Sequence, residues 1–242
     1  MPSAVGHMLP VRRLLDMPTP ASPSIGLNVL HLFFAVGPLT DSDGVLAAID
    51  EARGDGDQVV TAALLGHKAD VAVMVLSTDQ WRFRRLQTAL VAAGLDLVDS
   101  YLSLTELSEY ALGIPEEMQQ ARLYPELPPE GKPAFCFYPM SKRRNVGANW
   151  YELDFDRRKE LMYEHGASGR KFAGRVTQLI TGSTGLDEYE WGVTLFCVHP
   201  DDVKEIVYTM RYDVASAQYG EFGPFYVGMV EEPAVVLAEV GA

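Results

Sequence analysis

Apolar positions along the chain follow two periods, and these alternate in the same order twice. Period-two runs rich in β-branched and aromatic residues read as strands. Runs near period 3.6 that open on Asp, Ser or Thr read as helices. In the first half, residues 28–36 read as a strand and 40–53 as a helix opened by Thr-Asp-Ser-Asp and closed at Gly54. Residues 59–65 and 69–76 read as strands, and 78–93 as a helix with Thr78 or Asp79 as cap and Gly94 at its end. A long strand over 97–107 completes a β-α-β-β-α-β order. The second half repeats that order. Residues 134–142 read as a strand and 155–166 as a helix with Asp154 as candidate cap. Two strands, 175–181 and 192–198, flank a Gly182-Ser-Thr-Gly185 turn, and a helix over 201–211, extending toward Asp213, precedes a last strand over 222–229.

Two consecutive βαββαβ units predict an α+β fold of two ferredoxin-like domains, 26–110 and 134–229. Each antiparallel sheet carries helices on one face and needs cover on the other. Packing the two sheets into a barrel-like core supplies it. Pro115, Pro125, Pro128, Pro129 and Pro133 predict a linker over 111–133 without regular structure. Five prolines predict a loose arm over 1–25, in which 11–17 could dock as a helical turn, and 230–242 reads as a short tail.

Charge narrows the partners. The chain of 242 residues has 20 Lys and Arg against 33 Asp and Glu, a net charge of −13. Such a field repels phosphate backbones and anionic membrane surfaces, so neither nucleic acid nor a membrane is an expected partner. The longest early apolar run, 29–36, is broken by His31 and too short to span a bilayer, and no signal-peptide core precedes it. A cytoplasmic location is expected. Cys136 and Cys197 lie in apolar stretches and read as buried reduced thiols, with a single disulfide between them as the lesser alternative.

Four stretches carry candidate chemistry. Alternation in Phe137-Tyr-Pro-Met-Ser-Lys-Arg-Arg144 puts Cys136, Tyr138, Met140 and Lys142 on one strand face. With Arg143 and Arg144 this is either a solvated basic turn or a clamp for carboxylate or phosphate. On the helix over 155–166, Arg158, Leu161, Met162 and His165 share one face, so His165 points with the apolar stripe. It is either a hydrogen-bonded core histidine or an imidazole offered to one open metal position, as a haem iron requires. His7, His31, His67 and His199 are scattered, and no competing metal-ligand spacing exists. Gln178 lies mid-strand as a buried amide, either bonding between sheets or donating to a ligand oxygen. Arg211 and Ser216 near a helix end are either a surface pair and cap or a second anion site.

Together these stretches resemble the chlorite-dismutase-like haem proteins, and within them the coproheme decarboxylases. The resemblance rests on Tyr138-Pro-Met-Ser-Lys-Arg-Arg144, Asn149-Trp-Tyr151, Leu161-Met-Tyr-Glu-His-Gly166, Gln178-Leu-Ile-Thr-Gly-Ser183, Glu190-Trp-Gly-Val-Thr-Leu-Phe196, and Arg211-Tyr-Asp-Val-Ala-Ser-Ala217 with Glu221-Phe-Gly223. Gly66-His-Lys-Ala-Asp70 and 100–110 add to it in the first half. It implies haem in the second domain, ring-shaped homopentamers, His165 as proximal iron ligand, Tyr138 as a redox-active tyrosine beside a propionate, and Gln178 as the distal residue. Lys142, Trp150, Arg211 and Ser216 resemble groups around the propionates, and Met140 a pocket wall. Chlorite dismutases resemble one another in a distal arginine, whereas this chain has Gln178. The opening strand lacks the Trp-Tyr-rich start associated with the family.

The resemblance implies peroxide-dependent decarboxylation, with coproheme (Fe-coproporphyrin III) as both substrate and redox centre and no other metal. Two propionates become vinyls, two peroxides are consumed and haem b results. A transient contact with a ferrochelatase would fit such a role. Alternatives on the same fold are a chlorite dismutase or haem peroxidase, and a non-enzymatic porphyrin carrier or haem sensor.

Overall fold

The computed structural model describes residues 18–111 and 113–242. Strand β1 (Asn28–Ala35) is buried along nearly its whole length, because it pairs on both edges. Helix α1 (Ser42–Gly54) follows, capped by the Asp41 carboxylate on the Gly44 amide. β2 (Gln58–Leu64) and β3 (Val71–Ser77) form an antiparallel pair. α2 (Gln80–Ala92) is capped by Asp79, and β4 (Asp96–Thr105) returns beside β1. The first-half sheet therefore runs β4-β1-β3-β2, with its helices on one face.

α3 (Glu116–Leu123) leads to β5 (Ala134–Lys142), a hairpin of β6 (Arg144–Asn145) and β7 (Ala148–Asn149), and α4 (Phe155–Arg170). Then come β8 (Val176–Gly182), β9 (Trp191–Cys197), α5 (Pro200–Met210), the single turn α6 (Val214–Ala217), β10 (Gly220–Phe222), β11 (Tyr226–Val230) and α7 (Pro233–Val240). β10 and β11 share one edge of β5, and β9 takes the other. The second sheet thus runs β8-β9-β5-β11, the same connectivity as the first.

β2 pairs with β11 and β4 with β8, so eight strand positions close into one antiparallel barrel. Full closure leaves no long open sheet edge. Phe33, Phe137, Phe196 and Tyr226 fill the interior, where the Phe33 and Tyr226 rings stack at 3.8 Å. The barrel-like α+β core read from the pattern is the one observed.

Several local readings change. α3 lies in the stretch read as structureless, because prolines at a helix start are tolerated and Pro115 is the residue before α3, and a 3-10 turn (Glu109–Ala111) leads into that stretch. The stretch read as a tail forms α7, opened by Pro233 and seated by Val236 and Leu237 in the first-half core. α4 runs past Gly166 to Arg170, and the helix after Asp201 stops at Met210 before α6. In the arm, Ala21 is tied down by Asp79 and Gln80, while the helical turn over 11–17 lies outside the described residues.

Candidate functional site

The site grows from side-chain parity on the second sheet. Phe135 and Phe137 of β5 point into the barrel, so Cys136, Tyr138 and Met140 point out toward the helices. On β8 the same rule turns Leu179 inward and Gln178 outward. Cross-strand register places Gln178 in a row with Leu195 and Cys136, and Ile180 in a row with Val193 and Tyr138. Gln178 and Tyr138 therefore stand two strand spacings and two residues apart on one face, about 12 Å.

This face is only partly covered. In the first half, α1 lies directly on β2. Its counterpart α4 packs mainly on α5, α6 and the Glu109–Ala111 turn instead. Gln178 is exposed and Ile180 is 41% exposed, which corrects the reading of a buried glutamine. The physical reason is that α4 packs on other elements and leaves the outer face of β8 uncovered.

α4 brings His165 to that side of the sheet. Asp154 caps the helix, and Arg158 anchors it by donating to the Tyr110 hydroxyl and the Leu153 carbonyl. His165 Nδ1 lies 3.2 Å from Asp213 Oδ2, and Ser168 donates to the other Asp213 oxygen at 2.8 Å. An Nδ1 held by a carboxylate fixes the tautomer and leaves Nε2 as the nitrogen to offer. Burial and the nearby Lys142 ammonium push the imidazole below its ordinary pKa, against Asp213, and so favour the neutral ligating form.

Lys142 is 6% exposed. Its Nζ donates to the Ala215 carbonyl at 2.7 Å and lies 4.4 Å from the centroid of the buried Trp150 ring. Burial lowers its pKa to about 8, partly offset by Glu190. Glu190 in turn accepts from the Lys142 amide at 2.8 Å. Ser216, next to Ala215, is buried in the same cluster. Lys142, Trp150, Ser216 and His165 thus come together, although Lys142 is not the free cation that a basic turn suggests.

Tyr138, 7% exposed, forms a second cluster. Its ring stacks on Phe225 at 4.4 Å and lies 6.0 Å from Phe222. Burial raises the phenol pKa, and the Arg211 guanidinium opposes it. Arg211 sits over the Phe222 ring at 4.3 Å, and among the described residues it has no side-chain hydrogen bond or ion pair. Met140 is opposite Phe222 on β10 and Trp191 on β9.

Sequence reasoning missed Asp213, Glu190, Phe222 and Phe225 as site residues. Asp213 is 48 positions from His165, so no spacing rule links them. Among the described residues no three His, Cys, Asp or Glu side chains gather as a metal set. An iron porphyrin needs only one axial ligand from the protein, which His165 can be. The uncovered face of β8, the carboxylate-held imidazole and a guanidinium with no side-chain partner among the described residues together fit such a group.

These features belong to a known class. The chain matches the chlorite dismutase family over residues 41–231 and belongs to it. It is 43% identical over 231 residues to the coproheme decarboxylase of Staphylococcus carnosus, covering 85% of this chain and 92% of that protein. A heme-binding protein from Thermus thermophilus superposes with a TM-score of 0.81 at 34% identity, over 93% of this chain and 99% of that one. Chlorite dismutase from Candidatus Nitrospira defluvii in complex with imidazole superposes with a TM-score of 0.73 over 91% of this chain and 97% of its own. At 18% identity that match reports the fold.

Proposed function

We propose that the protein is a coproheme decarboxylase, converting two propionates of Fe-coproporphyrin III to vinyls with hydrogen peroxide and yielding haem b. The observation that carries the reading is the pairing of a carboxylate-held His165 with the neutral Gln178 on one side of a partly uncovered sheet. The 43% identity to a coproheme decarboxylase supports it. We assign the second ferredoxin-like unit, 134–229, to the porphyrin and the first, 26–110, to its support. A homopentamer in the cytoplasm, with transient access to a ferrochelatase, completes the proposal. No helix among the described residues is long and apolar enough to cross a membrane.

When bound, the iron porphyrin supplies the oxidising power, and the chain supplies placement and proton handling. His165 Nε2 would hold the iron, with Asp213 keeping the ring oriented. Gln178 offers an amide N–H to an oxygen on the open side, and its neutrality suits peroxide better than an anionic substrate. Arg211 reads a carboxylate through charge-assisted bonds, with Ser216 nearby. Lys142 and Trp150 set the charge and packing beside His165, and Met140 forms a wall. With peroxide as the two-electron oxidant, Tyr138 would give up an electron and its phenolic proton toward the peroxide oxygen and then take a hydrogen atom from the propionate β-carbon; loss of carbon dioxide and of one further electron to the same oxidant would leave the vinyl group, with the peroxide ending as water.

The test mixes the protein with ferric coproheme and limiting peroxide. Mass spectrometry should find the loss of two carboxyl groups. Tyr138→Phe should bind coproheme with unchanged spectra yet form product at under a hundredth of the wild-type rate, on the order of what a reacting group contributes. Haem b at the wild-type rate from the loaded variant would end the role of Tyr138. Oxygen evolved from chlorite, or binding with neither reaction, would replace the decarboxylase reading.

A further inference from the structure

We propose that Lys68, from the first half of the chain, is a positioning residue for Tyr138 in the second half, acting through Phe225. The proposal rests on the assignment of Tyr138 above.

The strand opposite Tyr138 is irregular. Phe222 pairs with Met140 and Tyr226 with Phe137, so three residues (Gly223, Pro224, Phe225) face two (Tyr138, Pro139). One extra residue in a strand is a bulge, and it reverses side-chain parity beyond it. Phe222 and Phe225 consequently both lie on the outer face beside Tyr138, while Tyr226 turns into the barrel. Two prolines at the bulge remove ladder donors, and the Gly223 amide alone reaches Pro139 O, at 2.9 Å.

The Phe225 carbonyl is left for another donor, and Lys68 Nζ supplies one at 2.6 Å. The ammonium also lies 5.8 Å from the Tyr226 ring centroid. Lys68 sits in the β2–β3 loop, whose place is set by Asp70: its amide donates to Phe34 O at 2.8 Å, and its carboxylate accepts from Val36 N at 2.8 Å. The Leu65 amide donates to Val227 O at 2.8 Å, on the other side of the bulge. The loop of one half thus grips the bulge of the other, and the gripped residue carries the ring stacked on Tyr138. The Lys68 side chain is exposed, so its removal leaves the Phe225 carbonyl to water and spares the fold.

The consequence is specific. With Lys68 in place, Phe225 covers the phenol, keeping water off it and the ring in one rotamer. Without it, Phe225 samples other positions and the phenol ionises more easily. The other titratable or charged groups that act on the phenol are Cys136 and Arg211, and Lys68 itself bears on Cys136; losing the Lys68 charge alone would make the phenol harder to ionise, so a lower titration in Lys68→Met reports the lost cover and not the lost charge.

The experiment places 3-fluorotyrosine at position 138 and follows its fluorine resonance against pH in the porphyrin-free chain, for wild type, Lys68→Met and Lys68→Arg. In wild type the resonance should hold steady through the range where exposed tyrosines ionise. In Lys68→Met it should titrate lower by at least one pH unit, and Lys68→Arg should restore the wild-type profile. With ferric coproheme and peroxide, Lys68→Met should lower kcat about fivefold, the scale of one net hydrogen bond, with KM unchanged. A Lys68→Met titration identical to wild type overturns the proposal, as does an Arg variant that fails to rescue. If the wild type makes no haem b, the decarboxylase reading fails while the fluorine titration still decides the role of Lys68.

Discussion

His31 is fully buried inside the barrel, where Nε2 pairs with Thr194 Oγ1 of the other half at 3.0 Å and the ring stacks on Phe137 at 4.2 Å. Among the described residues no carboxylate faces it, so burial drives its pKa down to about 3 from 6.5. The folded state keeps the neutral ring, while the unfolded chain binds a proton below about pH 6.5. Stability is therefore constant above that pH and falls as the pH drops from 6.5 toward 3, by about 2 kcal/mol at pH 5 from this residue alone. Urea unfolding at pH 7 and pH 5 should show a loss larger by about 2 kcal/mol in wild type than in His31→Gln. An equal loss in both would assign the acid sensitivity elsewhere. Residue types at such positions were readable from the chain, but their surroundings were not. Strand parity put Tyr138, Met140 and Lys142 on one face correctly. It could not tell that Lys142 would find Trp150 and Ala215, or that Gln178 would stay uncovered, because both depend on where α4 comes to rest.

Elements were legible where period and cap agreed. Asp41, Asp79 and Asp154 each accept a backbone amide at a helix start that the pattern had marked. Where proline density or glycine disturbed the period, elements were lost: Pro115 hid α3, Gly166 and Gly169 hid the last turn of α4, and Pro233 hid α7. α7 matters most, because Val236 and Leu237 close the core over α1 and β2 beside Phe34, Val73 and Leu90. Leu237 is 3% exposed, so Leu237→Ala should cost about 2–5 kcal/mol, the range for truncating a buried leucine. Chemical denaturation would measure it. A cost below about 0.5 kcal/mol, the range of surface changes, would mean that α7 is an appendage after all.

At the scale of the whole molecule, two seams turn two half-sheets into one barrel, and their glycines differ in kind. At the β2–β11 seam, a Cβ on Gly228 would lie 2.1 Å from the Ala63 carbonyl oxygen and 2.9 Å from the Leu64 Cα. Those are backbone atoms of the opposing half and can yield only if the strands separate. At the β4–β8 seam, a Cβ on Gly182 would meet the Glu106 carboxylate at 2.2 Å, and that exposed side chain can swing away at the loss of its bond to Trp191 Nε1. Gly228→Ala should therefore destabilise by about 3 kcal/mol or more, a Tm fall of about 6–12 °C for a chain of this size. Gly182→Ala should cost about 1 kcal/mol or less, one exposed hydrogen bond. Because β11 continues from the bulge that carries Phe225, forcing the first seam apart should also loosen Phe225 from Tyr138, and Gly182→Ala should not. Thermal unfolding of both variants, with the fluorine titration at position 138, tests this pairing. Similar Tm losses for the two would mean that the closure is softer than the Gly228 contacts imply. A large loss in Gly228→Ala with an unchanged titration would mean that barrel closure and the Tyr138 cluster are independent.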